Sequence, residues 1–240
     1  MSDQRQFTWQ ALEREYQAAQ DRGYTFLSCY GYVLNKTNLP TRTIVNRVDI
    51  DLSVKKAERL VRIFDQLSIQ ATFFVRLHAP EYNPFSFENF RILKLIRDHG
   101  YEIGLHCEVM DQSWIWNEAG SKCLERDITV LQTMLDIQIV GLASHGGLTG
   151  LNNLRFWDEH KPSDFGLVYE AYDRLDAFCL FHDALYISDS EYTQWKSYKN
   201  GVLQSGDRRS LSEHLDDDPP LVYLLVHPDT YFERHIYESE

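Results

Sequence analysis

Between residues 43 and 110 short runs of β-branched and aromatic residues alternate with stretches of helical periodicity, and this alternation restricts the fold more than any other feature. Thr43-Ile44-Val45-Asn46-Arg47-Val48-Asp49-Ile50-Asp51 reads as a strand. Strand side chains alternate between faces, so Asp49 and Asp51 look the same way. Ser53 stands at the N-cap of a helix in which Val54, Ala57, Leu60, Val61, Phe64 and Leu67 recur at helical spacing. A second strand, Gln70 to Leu77, precedes a loop with Pro80 and Pro84 and a helix from about Ser86 to Gly100. A third strand, Tyr101 to His106, carries Gly104 and His106 on one face and Ile103 and Leu105 on the other. Parallel strands joined by right-handed helical crossovers bring their C-terminal ends to one rim. Asp49, Asp51, His78 and His106 are expected there.

The flanking sequence extends the same pattern. Residues 8 to 22 read as a helix with Trp9, Leu12, Tyr16 and Ala19 on one stripe and Gly23 as its stop; Tyr24 to Tyr30 reads as a strand and Leu34 to Pro40 as a loop. After His106 a polar loop with Trp114 and Trp116 is expected, then a helix from Glu118 to Leu135 that buries Leu124, Ile128, Leu131 and Leu135. A fourth strand, Ile137 to Ala143, ends in Ser144-His145-Gly146-Gly147. Further strands are expected near Gly166–Tyr169 and Leu185–Ser188, and a last one at Leu221–Val226. Pro228 has no N–H for a central ladder, so that last strand stops at His227. A length of 240 residues suits one α/β domain over residues 1–240.

With 24 basic against 36 acidic residues the net charge is -12, which disfavours binding to a phosphate backbone, so nucleic acid is not an expected partner. The longest apolar runs, such as Leu221 to Val226, fall far short of the ~20 residues of a membrane helix, so no membrane insertion is expected. The opening Met1-Ser2-Asp3-Gln4-Arg5-Gln6 lacks the apolar core of a secretory signal. Cys29, Cys107, Cys123 and Cys179 are scattered without a C-x-x-C pair. Both features point to a reduced, cytoplasmic protein.

An acidic pair at a strand end also suits a solvated turn or a calcium loop. A calcium loop of the EF-hand type starting at Asp49 would require Gly at Val54 and Glu at Leu60. A single histidine is more often a hydrogen-bonded core or surface residue than a ligand. Here His78, His106, His145 and His227 join the two aspartates at C-terminal strand ends, the placement of a barrel active site. Imidazole nitrogen plus carboxylate oxygen, with one position open, suits catalytic zinc or another first-row divalent ion. Asp216–Asp218 reads as a solvated loop and Cys107 as a buried thiol. No Walker A sequence, H-E-x-x-H or dinucleotide fingerprint is present, and Leu142-Ala143-Ser144-His145-Gly146 lacks the first glycine of a serine elbow.

Val48-Asp49-Ile50-Asp51, Ala71-Thr72-Phe73-Phe74-Val75 and Gly100-Tyr101-Glu102-Ile103-Gly104-Leu105-His106 resemble the opening motifs of the polysaccharide deacetylase family, the NodB-homology or carbohydrate esterase family 4 group. Leu224-Leu225-Val226-His227-Pro228 resembles its final motif, and the residues between are matched by element order alone. The resemblance implies a distorted (β/α) barrel of about seven parallel strands holding a divalent metal, zinc being expected. It implies Asp49 as general base, Asp51 and His106 as metal ligands and His227 as general acid. Two departures stand out. The family's H-x-x-x-H motif would place its second histidine at Met110, and Ser144-His145-Gly146-Gly147 replaces its Arg-x-Pro motif.

A thioether is a poor partner for such an ion, so another residue must serve in place of Met110. Glu108 and Asp111 lie near in sequence. His145 follows the adjacent strand directly, with Gly146-Gly147 allowing a sharp turn, and Asp51, His106 and His145 are the expected ligand set. Loops after the second and third strands supply Arg76, His78, Tyr82, Asn83 and Trp114 as candidate contacts to the flat faces, hydroxyls or phosphates of a sugar.

The expected activity is removal of an acetyl or related acyl group from an amino sugar or other carbohydrate, from an amide more than an ester. The cytoplasmic features favour a small or nucleotide-linked sugar. The competing function is that of a degenerate, inactive barrel that lost its metal with Met110 and binds carbohydrate or protein.

Overall fold

The computed structural model describes residues 7–172, 178–190 and 194–234; the opening Met1–Gln6, read above for a leader segment, lies outside the described residues. In chain order the elements are α1 (Trp9–Asp21), β1 (Thr25–Leu27), α2 (Cys29–Asn35), β2 (Thr43–Ile50), α3 (Val54–Leu67), β3 (Thr72–Val75), α4 (Phe87–Asp98), β4 (Glu102–Cys107), α5 (Val109–Trp116) and α6 (Gly120–Leu135). They continue with β5 (Gly141–Ser144), β6 (Tyr169–Glu170), α7 (Leu180–Asp183), β7 (Leu185–Ser188), β8 (Lys196–Lys199), β9 (Val202–Leu203), α8 (Leu211–His214) and β10 (Leu221–Val226).

Seven strands run parallel in the order β6-β5-β4-β3-β2-β10-β7. β8 and β9 extend the β7 side antiparallel, and β1 pairs separately with β2. The two flanks of the parallel set meet through their inward side chains. The Tyr223 hydroxyl donates to the Ala171 carbonyl at 3.2 Å, the Tyr172 and Tyr186 hydroxyls lie 3.4 Å apart, and Phe178 stacks on Tyr169 and meets Tyr223 edge-on. The sheet therefore curls into a distorted (β/α) barrel, with no ladder between β6 and β7 among the described residues.

Alternation sorts the side chains into two cores. Ile44, Val48 and Ile50 of β2 face outward to the helices with Phe73, Ile103, Leu105 and Leu224. Val45 faces inward with Phe74, Ala143, Tyr169, Tyr223 and Leu225. Continuing that inward parity upward places Arg47 and Asp49 above Val45 and His106 above Gly104. Gly104 is required by the interior: a Cβ there would lie 2.4 Å from the Phe74 ring.

Local chemistry accounts for the ends of the elements and for the departures from the sequence reading. The Thr8 hydroxyl caps α1 by accepting the Ala11 N–H, and Trp9, Leu12, Tyr16 and Ala19 are buried as expected. The strand expected at Tyr24–Tyr30 is confined to Thr25–Leu27, because the Ser28 hydroxyl accepts the Gly31 N–H and starts α2. The expected polar loop around Trp114 and Trp116 is the helix α5, ended by Asn117 in the left-handed region. No apolar stripe marks this helix because Val109, Asp111 and Gln112 are its buried residues, two of them polar and tied by hydrogen bonds. Ser53 occupies the N-cap of α3 without a side-chain capping bond; Asp229 accepts the Leu52 N–H at 2.9 Å instead.

No helix among the described residues is long and apolar enough to cross a membrane. Cys29, Cys107 and Cys123 are buried, and none of the four cysteines is in a disulfide among the described residues. Burial pushes the Cys107 thiol well above the usual range, so it is held protonated.

Candidate active site

Five strand ends deliver the site. β2 passes directly into Asp51, β4 holds His106, β5 passes into His145, β7 into Asp189, and β10 into His227. These residues surround a cleft of about 260 Å³ at the C-terminal rim, which Ser144, Tyr172, Leu225 and Thr230 also line.

Asp49 is 2% exposed at the floor of this cleft. Arg47, wholly buried two residues earlier on the same face, grips it with two parallel hydrogen bonds of 2.8 and 2.7 Å. The guanidinium is itself seated 4.5 Å from the Tyr172 ring centre and 5.4 Å from that of Phe74. Burial pushes the Asp49 carboxyl up, but the Arg47 charge and then His106 outweigh it and hold the group below the usual carboxylate range. Asp49 is therefore ionised and rigidly aimed.

His106 Nε2 lies 3.2 Å from both Asp49 Oδ2 and Asp51 Oδ1, and its Nδ1 faces the Ala143 carbonyl at 2.9 Å. That carbonyl can only accept, so Nδ1 carries a proton. His145 Nε2 is 4.0 Å from the same Asp51 oxygen, and its ring stands nearly perpendicular to that of His106. Asp51 Oδ1 is buried and has no hydrogen-bond partner, a condition that is normally expensive and that a bound cation relieves. Burial acts to raise the Asp51 pKa, yet His106, His227 and His145 together hold it far below the usual range.

Asp51, His106 and His145 each offer one donor atom, all within 4.8 Å of one another. The 3.2 Å separation of His106 Nε2 from Asp51 Oδ1 suits two ligands of one ion, and His145 Nε2 stands farther from that oxygen, at 4.0 Å. The donor set and the orphaned carboxylate oxygen fit a divalent ion with an open position. Met110, where the family resemblance would put a ligand, is instead packed against the outer core. Glu108 and Asp111 are also otherwise engaged: Glu108 takes a 2.7 Å bond from Arg76, and Asp111 accepts from Leu148, Thr149 and Asn153.

His227 sits across the cleft with Nε2 3.7 Å from Asp51 Oδ2. Asp189 holds it twice, through Nδ1 at 2.6 Å and through the backbone N–H at 2.9 Å. Burial alone would lower the imidazole pKa; Asp189, then Asp51 and Asp49, reverse that and raise it to about 9. His227 is thus a protonated acid at neutral pH with Nδ1 fixed and Nε2 facing the cleft.

Arg47 escapes a search limited to strand-end acids and histidines, and Asp189, although it follows a strand, is not among the residues expected in the site. Arg47 had a signal, since alternation puts it beside Asp49. Asp189 had only its place after Ile187-Ser188, and alternation assigns it to the outward face with Ile187.

The five residues expected to contact substrate do not line the cleft. Arg76 is 2% exposed and committed to Glu108 and to the Asp51 carbonyl. Tyr82 links strand ends by donating to the Ile50 carbonyl and accepting the Arg76 N–H. Asn83 holds the turn before α4 through Phe85 and Asn89. His78 pairs with Asp127 and meets Trp116 edge-on, and Trp114 is 71% exposed outside the cleft. Polar side chains next to a strand end find partners among neighbouring loops as readily as in a cleft, which position in the sequence does not distinguish.

Fold and site together define a (β/α) barrel whose C-terminal rim gathers carboxylates and imidazoles suited to a divalent ion and to acid–base chemistry. No protein-family model and no curated protein matches this chain. Solved structures similar to it include two deacetylases. The deacetylase PplD of Streptococcus pyogenes in complex with acetate is 18% identical, with a TM-score of 0.42 over 55% of this chain and 59% of that one. IcaB from Ammonifex degensii is 17% identical, with a TM-score of 0.45 over 62% of this chain and 72% of that one. The chitin deacetylase of Colletotrichum lindemuthianum, also 17% identical, gives 0.32 over 42% and 45%. The chain spans 59% of the length of the PplD structure, and what it does rests on its own residues.

Proposed function

We propose that this protein is a metal-dependent hydrolase that removes an acetyl or related acyl group from an amino sugar or other carbohydrate. The observation that carries the reading is the convergence of an arginine-held carboxylate, a donor set for an ion and an aspartate-held imidazolium on one cleft. Asp51, His106 and His145 would hold the ion, with zinc the best match to two nitrogens and one oxygen. When bound, a divalent ion supplies polarisation of the acyl oxygen and eases deprotonation of water.

The chain's own groups then divide the proton transfers. Asp49, kept ionised by Arg47, takes the proton of the attacking water. His227, kept protonated by Asp189, gives a proton to the departing amine, which leaves poorly as an anion and well as a neutral group. Opposite protonation states of two groups on one cleft are the requirement for acid–base hydrolysis.

An inactive binding module was the alternative because Met110 breaks the ligand motif. What weighs against it is that His145 Nε2 stands within the same donor cluster. Among the described residues lining the cleft, Arg47 is the one permanent cation, and it is committed to Asp49. This favours an uncharged amino sugar over the nucleotide-linked sugar among the expectations. The test is metal analysis of protein reconstituted with zinc, together with acetate release from an N-acetylated monosaccharide, a short oligomer and a nucleotide-linked sugar. One zinc per chain and zinc-dependent acetate release are expected. Absence of both would leave the binding module as the better account.

A further inference from the structure

We propose that Glu108 is a positioning residue that fixes the His145 imidazole with its proton on Nδ1 and presents Nε2 as a bare donor toward Asp51. The use of that donor for a metal rests on the function proposed above; the fixing of the ring does not.

Glu108 lies 2% exposed just past the end of β4, with Oε1 3.3 Å from His145 Nδ1. A carboxylate only accepts, so the ring nitrogen facing it must carry the hydrogen. Nδ1 and Glu108 Oε2 are both buried without a formed hydrogen bond, and Glu108 Oε1 at 3.3 Å is the acceptor that Nδ1 faces. The acid itself is anchored. Arg76 donates to its Oε1 at 2.7 Å and, through the other terminal nitrogen, to the Asp51 carbonyl at 2.9 Å. One buried guanidinium thereby ties the carboxylate behind His145 to the backbone of Asp51.

The backbone bearing the ring is held separately. His145 N–H donates to the Cys107 carbonyl, and Asn153 donates to the His145 carbonyl while accepting the N–H groups of Met110 and Asp111. Asp111 accepts from Leu148 N–H, from Thr149 N–H and hydroxyl, and from Asn153. At Gly147 a Cβ would lie 1.6 Å from the Leu151 carbonyl oxygen, so only glycine permits the loop to fold this closely. With the backbone fixed, the remaining freedom of His145 is the orientation and tautomer of its ring. Glu108 decides it, as the Ala143 carbonyl does for His106. The two imidazoles then turn Nε2 toward one carboxylate oxygen from perpendicular directions. A carboxylate behind a ligating histidine fixes the tautomer and raises ligand basicity, and its loss typically lowers metal affinity about 10–100-fold.

Two measurements test this. Nitrogen NMR of the His145 side chain in metal-free wild-type protein is expected to show the hydrogen on Nδ1; a neutral ring with the hydrogen on Nε2 would overturn the proposal. Zinc affinity by competition with a chelator is expected to fall about 10–100-fold in Glu108→Gln and in the double variant Arg76→Met with Glu108→Leu. The double variant removes both buried charges and with them the Arg76 bond to the Asp51 carbonyl, so the supporting result is read from Glu108→Gln, which keeps that bond, and the double variant supplies the negative one. Wild-type affinity there would overturn the proposal. Protein that binds no zinc yet shows the Nδ1 tautomer would sink the metal-dependent function and leave the Glu108 assignment standing.

Discussion

The two ends of the barrel use the same charged residue types at nearly the same distances and obtain different properties from them. Before β10, Asp216, Asp217 and Asp218 pair with Arg22, Arg209 and Arg42, each at 2.7 Å, and the aspartate side chains are 59–67% exposed. At the opposite rim Asp49 pairs with Arg47, also at 2.7 Å, with side-chain exposures of 3% and 0%. Water and salt screen the first set, so each pair contributes little. Desolvation dominates the second, where an unpaired charge is severely unfavourable and a paired one is held in a single geometry. Charge separation therefore says little about what a pair is for; burial decides whether it tethers loops or sets the protonation of a reactive group.

This contrast can be broken most forcefully at Arg47. Arg47→Met leaves Asp49 buried without its partner and should cost about 3–5 kcal/mol of folding stability, read from urea unfolding. Stability within experimental error of wild type would mean that the rim is as well solvated as the opposite end. Asp49→Asn keeps the shape and removes the base. Turnover should fall by about 10²–10⁴-fold while zinc stoichiometry, measured by elemental analysis, is kept. Near-normal turnover would assign Asp49 to structure alone.

Asp189→Asn gives a smaller and more specific effect. The folded pKa of His227, about 9, lies above the unfolded value near 6.5. Its contribution to stability is fully present below pH ~6.5 and is lost as pH rises through about 9. Removing the Asp189 charge should lower the His227 titration midpoint in metal-free protein and carry the alkaline limb of the activity profile to lower pH. A limb that stays in place would separate His227 from the acid role. At the exposed end, Arg42→Ala should leave the melting temperature unchanged in low and in high salt. A clear salt-dependent loss would show that the exposed pairs act as a network.

The sequence by itself determined that Asp49, Asp51, His106, His145 and His227 gather at the rim. Period-two alternation is a local property of a strand, so it sets Asp49 on the face of Asp51 and His106 on that of Gly104; Pro228 in turn marks the end of β10 beside His227. Right-handed parallel connections then bring these strand ends together without further information. Helical periodicity likewise gave α1, α3 and α4 nearly to their ends, whereas α5 was hidden because its buried face is partly polar.

Only the tertiary structure decided which polar groups pair with which. Arg76 turns to Glu108 and the Asp51 carbonyl and does not line the cleft, and Asp189 reaches His227 although alternation assigns it outward. Met110 joins the outer core while His145, from another strand, enters the donor cluster. A buried charge takes the partner that register and packing place within about 3 Å, and distances between strands far apart in sequence are properties of the folded sheet, not of any segment of the chain.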